Sequence, residues 1–316
     1  MRVSVITPCH NAGPWIAAAL RSIATQTSPA HEIIVIDDAS TDDSIAEIGR
    51  SGVAVTLLRV NYRNAAGARN AGIEAATGDW LALLDADDVW YPHHLARAVE
   101  LLSQTDDVAF MSNHDWIALD GTPVRMPDAA ICKLPSPQSG LTVEDYYRIG
   151  RDGFHFGHST VLYRRERVVE VGLFDVTQKR RHDIDLWLRA IAGRTWTYDT
   201  IKGAGYREAV PGSLSRDELE CDYYYLRALE RNAARISSPL FAEYLARQAR
   251  RAMGIAFVDG SKDHYARIRE LAWPHLPPFY RFFYSLASVS PGLARAVIKA
   301  KRQMVMSERG AGGDNR

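Results

Sequence analysis

The sequence predicts an α/β protein with a mostly parallel, Rossmann-like sheet flanked by helices and an α-helical C-terminal extension. Short apolar segments rich in β-branched residues alternate with helical segments of about 10 to 15 residues, as they do in doubly wound sheets. Polar residues gather directly after the apolar segments, where ligands bind in sheets of this kind. After about Asp217 the pattern is wholly helical.

The first part of the chain supplies this alternation. Strands are predicted at Val3–Thr7, Glu32–Ile36, Val53–Val60 and Trp80–Leu84, and from Val108 onward. Helices are predicted at Pro14–Thr25, from Ser40 or Thr41 to Arg50, at Ala65–Ala76, and from Pro92 onward. Because parallel strands end at the same edge of a sheet, we expect the polar residues that follow them to share one site.

The middle of the chain is less regular. Its predicted elements are a hairpin turn at Asp120-Gly121, a mobile loop at Pro127–Gly140, a strand within Phe154–Arg164 and a helix at Asp183–Ala192. We therefore divide the chain into a domain of residues 1–216, with halves 1–112 and 113–216, a helical region 217–307 and a disordered tail 308–316.

The composition excludes several classes of protein. Lys plus Arg and Asp plus Glu each number 38 among 316 residues, so no overall charge favours nucleic-acid binding. Cys9, Cys132 and Cys221 have neither zinc-site spacing nor a disulfide pattern, which fits a reducing cytoplasm. Neither a secretory signal nor an apolar run of about 18 residues occurs. The sequence therefore predicts a cytoplasmic protein without a membrane span.

Three carboxylates follow the fourth predicted strand, in Asp85-Ala86-Asp87-Asp88. They repel one another unless a cation lies between them, and Mg²⁺ and Mn²⁺ prefer such oxygen ligands. A cation held by one or two carboxylates keeps open positions for the phosphate oxygens of a substrate. The alternative is a polar loop in which one aspartate caps the helix near Pro92. For the triplet, a metal site is the preferred interpretation.

Asp37 and Asp38 leave two interpretations open. A carboxylate at this strand end can accept a hydrogen bond from the imide N–H of uracil or thymine, or from ribose hydroxyls. It can equally cap the helix after Ser40.

An ordered set of segments resembles the family 2 glycosyltransferases. These segments are Val5–Asn11, Ile34–Asp42, Ala68–Ile73, Gly78–Asp88, Val171–Asp175 and Asp183–Arg189, within about residues 1–215. The resemblance implies a GT-A fold, a nucleotide-diphosphate sugar donor and inversion at the anomeric carbon. It also implies that residues 1–112 bind the donor and residues 113–216 bind a carbohydrate or lipid-linked acceptor, in the synthesis of a cell-surface polysaccharide or glycolipid.

The same resemblance assigns the donor side of the site. Asp85 and Asp87 match the family's Asp-x-Asp motif and would hold Mn²⁺ or Mg²⁺, with Asp87 the more direct ligand. Asp38 would meet the base of a uridine or thymidine diphosphate sugar. The predicted nucleotide-sugar site comprises Thr7, Pro8, Asn11, Asp38, Arg69, Asp85, Ala86 and Asp87. A structural ion pair is an equally good interpretation of Arg69.

The resemblance assigns the general base to Asp183, which would take the proton of the acceptor hydroxyl. The family often has a second acidic residue just before the base, where this chain has His182. The alternative for Asp183 is a helix cap favoured by the helix dipole. Two interpretations are open for His158, His182 and Trp187: they contact the acceptor, or they only pack in the core. The same two interpretations are open for His155 and Tyr206.

Processive members of the family carry a Gln-x-x-Arg-Trp signature soon after the base. Leu186–Ala190 lacks that signature. The resemblance therefore predicts the addition of a single sugar rather than polymerisation.

The C-terminal segment 271–307 has no acidic residue, and its basic residues are interleaved with aromatic ones. Such a helix suits an anionic membrane surface, which would make the protein peripheral to the inner face of the plasma membrane. A helix packed on the catalytic domain with a solvated basic face is the equal alternative.

Other functions fit the residues less well. A sugar-nucleotide nucleotidyltransferase would usually carry a glycine-rich, basic loop after the first strand, whereas Pro8–Pro14 has one glycine and no Lys or Arg. A P-loop enzyme would require Lys and Ser or Thr where Ile73 and Glu74 stand. A non-catalytic nucleotide- or carbohydrate-binding protein would not need Asp85, Asp87 and Asp183 together.

Overall fold

The computed structural model describes residues 1–124, 134, 136–150, 157–208, 210, 217–236, 238–259, 261–287 and 292. The chain forms two compact units. The first unit contains residues 1–216 and 234–237, and the second contains residues 217–233 and those from 238 onward.

The first unit contains all ten strands of the described residues. The strands are β1 Val3–Cys9, β2 Glu32–Asp38, β3 Thr56–Val60, β4 Trp80–Leu83, β5 Val89–Trp90, β6 Ala109–Ile117, β7 Pro123–Val124, β8 Gln138–Leu141, β9 Val161–Arg164 and β10 Trp196–Arg207. The helices are α1 Gly13–Ala24, α2 Ser44–Arg50, α3 Ala65–Ala75, α4 His94–Leu102, α5 Val143–Gly150, α6 Arg165–Glu170 and α7 His182–Ile191.

The sheet has the order β3-β2-β1-β4-β9-β6-β10-β5, with β7 paired to β6 and β8 paired to β10. β1 is parallel to β2 and β4, and β2 is parallel to β3. β9 then runs antiparallel between β4 and β6. The predicted α/β fold with helices around a central sheet is therefore confirmed. The parallel strands β1 to β4 are the ones for which the sequence predicted alternating strands and helices.

Helices of the first unit pack closely on the parallel strands. The apolar residues of α1 at helical spacing, Ile16, Leu20 and Ile23, are at most 1% exposed. α3 approaches β1 and β2 so closely that a Cβ at Gly72 would lie 2.6 Å from Ile36 Cδ1. Only glycine fits this position without a shift of the neighbouring side chains. This close packing fixes α3, and with it Arg69, relative to the strand ends.

Several elements differ from the sequence predictions. The hairpin is confirmed, because β7 pairs with β6 around Gly121, which has a φ of 88°. Residues 138–140 belong to β8 rather than to a loop, because they pair with the edge of β10. The strand expected within Phe154–Arg164 begins only at Val161, after a one-turn 3₁₀ helix at His158–Thr160, and residues 154–156 lie outside the described residues. The sequence patterns missed β10, α5 and α6.

The described part of the second unit is helical, as predicted. Its helices are α8 Glu218–Asn232, α9 Pro239–Asp259, α10 Lys262–Ala272 and α11 Pro278–Ala287. Among the residues that the structure describes, no helix is both long and apolar enough to cross a bilayer. The tail 308–316 lies outside the described residues.

Candidate active site

The loops after β1 and β2 hold each other in place. Asn11 has a φ of 51°, and its side-chain oxygen accepts a hydrogen bond from Thr41 N at 2.8 Å. Asn11 N donates to Ser40 Oγ at 3.0 Å, and Gly13 N donates to Asp42 Oδ2 at 2.9 Å. These bonds bring two of the predicted donor-binding loops together at the carboxyl edge of the sheet.

Thr7 and Pro8 lie on β1 beside these loops. Thr7 is fully buried, and its hydroxyl has no hydrogen-bond partner among the residues that the structure describes. On the neighbouring strand β2, Asp37 is 1% exposed, and its Oδ1 likewise lacks a partner among those residues. An unpaired buried acceptor is costly, so both atoms suit a polar ligand or an ordered water.

Asp38 is committed mainly to the backbone before α3. Its Oδ1 accepts hydrogen bonds from Tyr62 N at 2.6 Å and Arg63 N at 2.9 Å, and its Oδ2 accepts one from Asn64 N at 2.8 Å. It does not cap the helix after Ser40, since Asp42 bonds the first turn of α2 instead. A carboxylate accepts about four hydrogen bonds, so one position on Oδ2 remains for a ligand.

Asp85, Asp87 and Asp88 form the aspartate loop between β4 and β5. One oxygen from each lies within 4.8 Å of the others. Asp88 is 1% exposed, and both its oxygens are bonded, to Ser159 Oγ at 2.5 Å and to Arg207 N at 2.7 Å. Arg207 also donates to the carbonyl of Asp87 at 2.7 Å. Asp88 therefore fixes the loop, and Asp85 and Asp87 remain to bind a ligand.

The two remaining carboxylates have different electrostatic surroundings. Arg69 Nη2 lies 2.5 Å from Asp85 Oδ1. Burial raises the pKa of Asp85, but Arg69, His158 and His182 together lower it, and the net direction is downward.

Burial and the charge of Asp85 raise the pKa of Asp87 to about 6. The charges of Arg207 and Arg69 also lower the pKa of Asp87, but by less than burial and Asp85 raise it. The aspartate loop thus has one carboxylate whose charge is largely compensated and one whose charge is not.

Asp85 and Asp87 fit a hard divalent cation. They supply two carboxylates on one turn, and the third is occupied by hydrogen bonds. Two protein ligands leave several positions of a Mg²⁺ or Mn²⁺ ion for diphosphate oxygens and water. Ala86 lies between them and is 6% exposed, so its side chain packs inward while the two carboxylates face the site.

Asp183 is the second residue of α7. The N-cap of this helix is Arg181, with a φ of 53°, so Asp183 is not the N-cap, but it lies in the first turn, where the helix dipole favours its charge. Burial raises the pKa of Asp183, while His158, His182 and Arg181 lower it, and the net shift is downward. His158 and His182 act on Asp85 as well, which places Asp85 and Asp183 around the same pair of imidazoles.

Arg69 connects the aspartate loop to α7. It is 5% exposed, and its Nη1 lies 2.6 Å from His182 Nε2 while its Nη2 binds Asp85. Because a guanidinium only donates, His182 Nε2 is the acceptor and the ring proton sits on Nδ1. Burial and Arg69 lower the pKa of His182 to about 3, so the ring is neutral near pH 7. The ion-pair interpretation of Arg69 is therefore confirmed, and its place at the donor site stays a prediction.

Phe174 lies among these groups. The guanidinium carbon of Arg69 lies 5.7 Å from its ring centre, and the rings of His158 and His182 lie 5.9 and 5.7 Å away. The side-chain amide of Asn70 in α3 bonds both the N–H and the carbonyl of Phe174 at 2.9 Å. α3 thus holds the segment before α7 in register with the aspartate loop.

The predicted acceptor residues separate into two groups. His158 and His182 are buried at the site, next to the charged groups described above. Trp187 is fully buried and packs edge-on against Trp196 at 5.0 Å, so the prediction that it contacts an acceptor is wrong. Tyr206 is half-buried on β10, with its ring 6.0 Å from that of His114. His155 lies outside the described residues.

The family described as Glycosyl transferase family 2 matches residues 4–172, which is more than half of the chain. The chain belongs to this family.

A curated relative and two solved structures illustrate the likeness. The succinoglycan biosynthesis protein ExoO of Rhizobium meliloti is 31% identical over 195 residues, 60% of this chain and 56% of ExoO. The chain thus spans only about half the length of this relative, and 38% of another. The S. aureus TarS structure with UDP-GlcNAc has a TM-score of 0.71 and 18% identity, covering 96% of this chain and 92% of TarS.

The mannosyltransferase PcManGT from Pyrobaculum calidifontis, solved with GDP-Man and Mn²⁺, has a TM-score of 0.55 and 22% identity. The match covers 94% of this chain and 86% of the PcManGT chain. At such identities the two structural likenesses establish the fold alone. They confirm the predicted GT-A fold of the glycosyltransferase.

Sequence reasoning missed two residues that position the aspartate loop. Ser159 accepts a hydrogen bond from Asp85 N at 3.2 Å besides donating to Asp88. Arg207 bonds the loop from the end of β10 and also holds the carbonyls of Ala118 and Leu119. Neither belongs to a recognisable motif. An arginine at the end of a strand next to the site was the only signal that could have indicated such a role.

Proposed function

We propose that this glycosyltransferase moves one sugar from a uridine or thymidine diphosphate sugar to a hydroxyl of a carbohydrate or lipid-linked acceptor, with inversion. The observation that carries the proposal is the link through Arg69. One buried guanidinium contacts both Asp85 of the aspartate loop and His182, the neighbour of Asp183. A carboxylate pair suited to a metal and a carboxylate suited to a base thus meet at one site.

On the donor side, Asp85 and Asp87 would hold Mn²⁺ or Mg²⁺, whose charge stabilises the departing diphosphate when the ion is bound. Arg69 keeps Asp85 ionised and in position. Asp88, Ser159 and Arg207 keep the loop rigid, so its carboxylates need little reorganisation when the donor binds. The free acceptor atoms of Thr7 and Asp37 and the open position on Asp38 Oδ2 would receive the nucleoside.

On the acceptor side, Asp183 accepts the proton of the attacking hydroxyl. Its lowered pKa means that it is ionised near neutral pH and ready to accept that proton. The hydroxyl oxygen bonds to the anomeric carbon from one face while the bond from that carbon to the diphosphate oxygen breaks on the other. Attack opposite the leaving group gives inversion.

The biological setting follows from relatives rather than from the site. ExoO is named for succinoglycan biosynthesis, which supports a role in polysaccharide or glycolipid synthesis for this chain. The buried thiol of Cys9, which forms no disulfide, fits a cytoplasmic location. The absence of the processive signature supports the addition of one sugar.

The proposal can be tested by screening nucleotide sugars for thermal stabilisation with Mn²⁺, with Mg²⁺ and with a chelator. A ligand at 100 times its Kd adds about 2.7 kcal/mol to the free energy of unfolding. We expect stabilisation by uridine or thymidine diphosphate sugars, lost with the chelator, and slow metal-dependent release of free sugar from the bound donor.

Stabilisation by guanosine diphosphate sugars alone would overturn the choice of nucleoside. Binding without any release or transfer of sugar would overturn catalysis and favour a binding protein. Asp87→Asn serves as the matched control. This variant should lose only the part of the donor's thermal stabilisation that depends on the metal.

A further inference from the structure

A cleft of about 430 Å³ lies at the amino edge of the sheet in the first unit. It is lined by Arg2, residues 77–80, residues 164–166 and Val169. Clefts of this size commonly hold small molecules. The aspartate loop follows the other end of β4, and the five residues from Trp80 to Asp85 span about 16 Å at the rise of a strand. We call this space the amino-edge cleft, and it is separate from the candidate active site.

Three adjacent strands, β1, β4 and β9, meet at the amino-edge cleft. Trp80 at the start of β4 pairs with the start of β1 on one side and with Arg164 of β9 on the other. Trp80 N donates to the carbonyl of Arg2 at 3.0 Å, and Arg165 N donates to the carbonyl of Asp79 at 2.9 Å. Hydrogen bonds therefore fix the backbone that carries the arginines of the cleft.

Two of these arginines differ in how their charge is compensated. Arg2 Nη2 lies 2.8 Å from Asp79 Oδ1, and Arg2 Nε lies 3.3 Å from Asp79 Oδ2. The guanidinium carbon of Arg164 instead lies 5.2 Å from the centre of the Trp80 ring, and its Nη2 lies 3.5 Å from the carbonyl of Asp107. Neither contact of Arg164 supplies a negative charge, so neither compensates its guanidinium.

Arg165 is the third arginine of the cleft. It is half-buried, and its Nε is buried without a hydrogen-bond partner among the residues that the structure describes. Within the same described ranges, its guanidinium forms no ion pair. An unused buried donor is costly, so an acceptor oxygen that reaches this side chain would be stabilising.

The cleft as a whole favours an anion. Its three arginines face two carboxylates, those of Asp79 and Glu166, and Asp79 is already paired with Arg2. Glu166 is exposed to solvent. The fork of N–H groups on a guanidinium matches the oxygens of a phosphate, and neighbouring arginines can bind one phosphate together.

We propose that the amino-edge cleft binds a phosphate group, free or esterified to a small molecule, through Arg164 and Arg165. A concave site of this volume suits a small molecule better than the surface of a macromolecule. Binding here requires neither donor nor metal, and it does not rest on the proposed function. Because the cleft stands apart from the aspartate loop, its ligand should not compete with a nucleotide sugar.

The test is calorimetry of the full-length protein with inorganic pyrophosphate, in the presence of a chelator and without nucleotide. We expect binding that Arg165→Gln weakens at least about tenfold, because a charge-assisted hydrogen bond is lost. Pyrophosphate bound near Arg69 would not respond to this substitution. Arg194→Gln is the matched control, because Arg194 is exposed and lies outside the cleft, and it should bind pyrophosphate like the wild type.

Glu166→Gln should act in the opposite direction. Removing its negative charge should tighten pyrophosphate binding about threefold, the size of one charge–charge interaction across several ångströms of water. A misfolded variant would not bind more tightly, so this gain is independent of any loss of structure. Melting temperature and sugar transfer should match the wild type in all three variants, which separates this proposal from the proposed reaction.

Titrations with inorganic phosphate and with glucose 1-phosphate distinguish the source of the phosphate group. Tighter binding of glucose 1-phosphate supports an esterified ligand, and tighter binding of inorganic phosphate supports the free ion, where Arg165→Gln weakens that binding. Three results would overturn the site. They are pyrophosphate that does not bind, equal binding by Arg165→Gln and the wild type, and Glu166→Gln that binds no more tightly than the wild type.

Discussion

The aspartate loop and the start of α7 both present carboxylates to the site, but their surroundings shift the pKa in opposite directions. Asp87 is half-buried beside Asp85, and desolvation and the charge of Asp85 raise its pKa to about 6. Burial also opposes ionisation of Asp183, yet His158, His182 and Arg181 lower its pKa overall. Opposite shifts in one site are a guide to different roles. The raised pKa of Asp87 suits its proposed role as a metal ligand, whereas the lowered pKa of Asp183 suits its proposed role as the base.

The sharpest test of this comparison is Asp183→Asn. An amide cannot take the proton of the acceptor hydroxyl, so we expect kcat to fall by about 10³-fold, within the range for a general base. Metal-dependent donor binding and melting temperature should stay close to those of the wild type. Steady-state kinetics and calorimetry with Mn²⁺ check both parts.

The exposed Asp106→Asn is the control for a neutralised carboxylate. Near-normal turnover in Asp183→Asn would remove Asp183 as the base. Loss of donor binding would instead move it to the donor side of the site.

Next in size is the contrast between Asp87→Asn and Asp88→Asn within the aspartate loop. Asp87→Asn should weaken Mn²⁺-dependent donor binding and lower kcat/KM by about 10²-fold, because a metal ligand is lost. Its melting temperature should change little without metal, since removing the repulsion from Asp85 offsets the substitution.

Asp88→Asn should act mainly on stability. The amide cannot accept hydrogen bonds from both the Ser159 hydroxyl and Arg207 N. An unsatisfied buried polar group lowers the free energy of unfolding by about 1 to 3 kcal/mol. Denaturant unfolding of both variants, with and without Mn²⁺, separates the two roles. Equal effects of the two variants on metal binding would show that Asp88 is a ligand as well.

The same contrast explains what the sequence could predict. Asp85 and Asp87 were recognisable because acidic residues directly follow a buried strand in a parallel sheet. The hydrogen bonds that fix Asp88 could not be recognised in the same way. Ser159 and Arg207 come next to Asp88 only because the strands are arranged in the order β4-β9-β6-β10. That order inserts strands distant in sequence, and no local pattern encodes it.

α7 shows a second limit of sequence reasoning. All of its residues except Asp183 are buried, so its periodicity does not mark an outward face. Trp187 was therefore as plausible near an acceptor as in the core. The contact between Arg69 and His182 spans 113 residues. It depends on the close packing of α3 at Gly72, which only the structure reveals.

The smallest predicted effect on activity concerns His182, which connects the start of α7 to the aspartate loop through Arg69. His182→Ala removes the acceptor for Arg69 and should lower kcat/KM by about tenfold, roughly the 1.4 kcal/mol expected for a lost charge-assisted hydrogen bond. His182→Gln keeps an acceptor oxygen for Arg69 and should retain most of the activity. Equal losses in the two variants would show that the bond to Arg69 does not position the site.

His182 also makes stability depend on pH. Its pKa is about 3 in the folded protein against 6.5 for an ordinary histidine, so between these values the unfolded chain binds more protons. Stability from the neutral ring is therefore present above pH 6.5 and is lost as the pH falls, by up to about 1.4 kcal/mol per pH unit. His182→Gln should flatten this dependence in urea unfolding, whereas replacing the exposed His31 by Gln should not. An unchanged slope in His182→Gln would mean that the imidazole is not held neutral between α7 and Arg69.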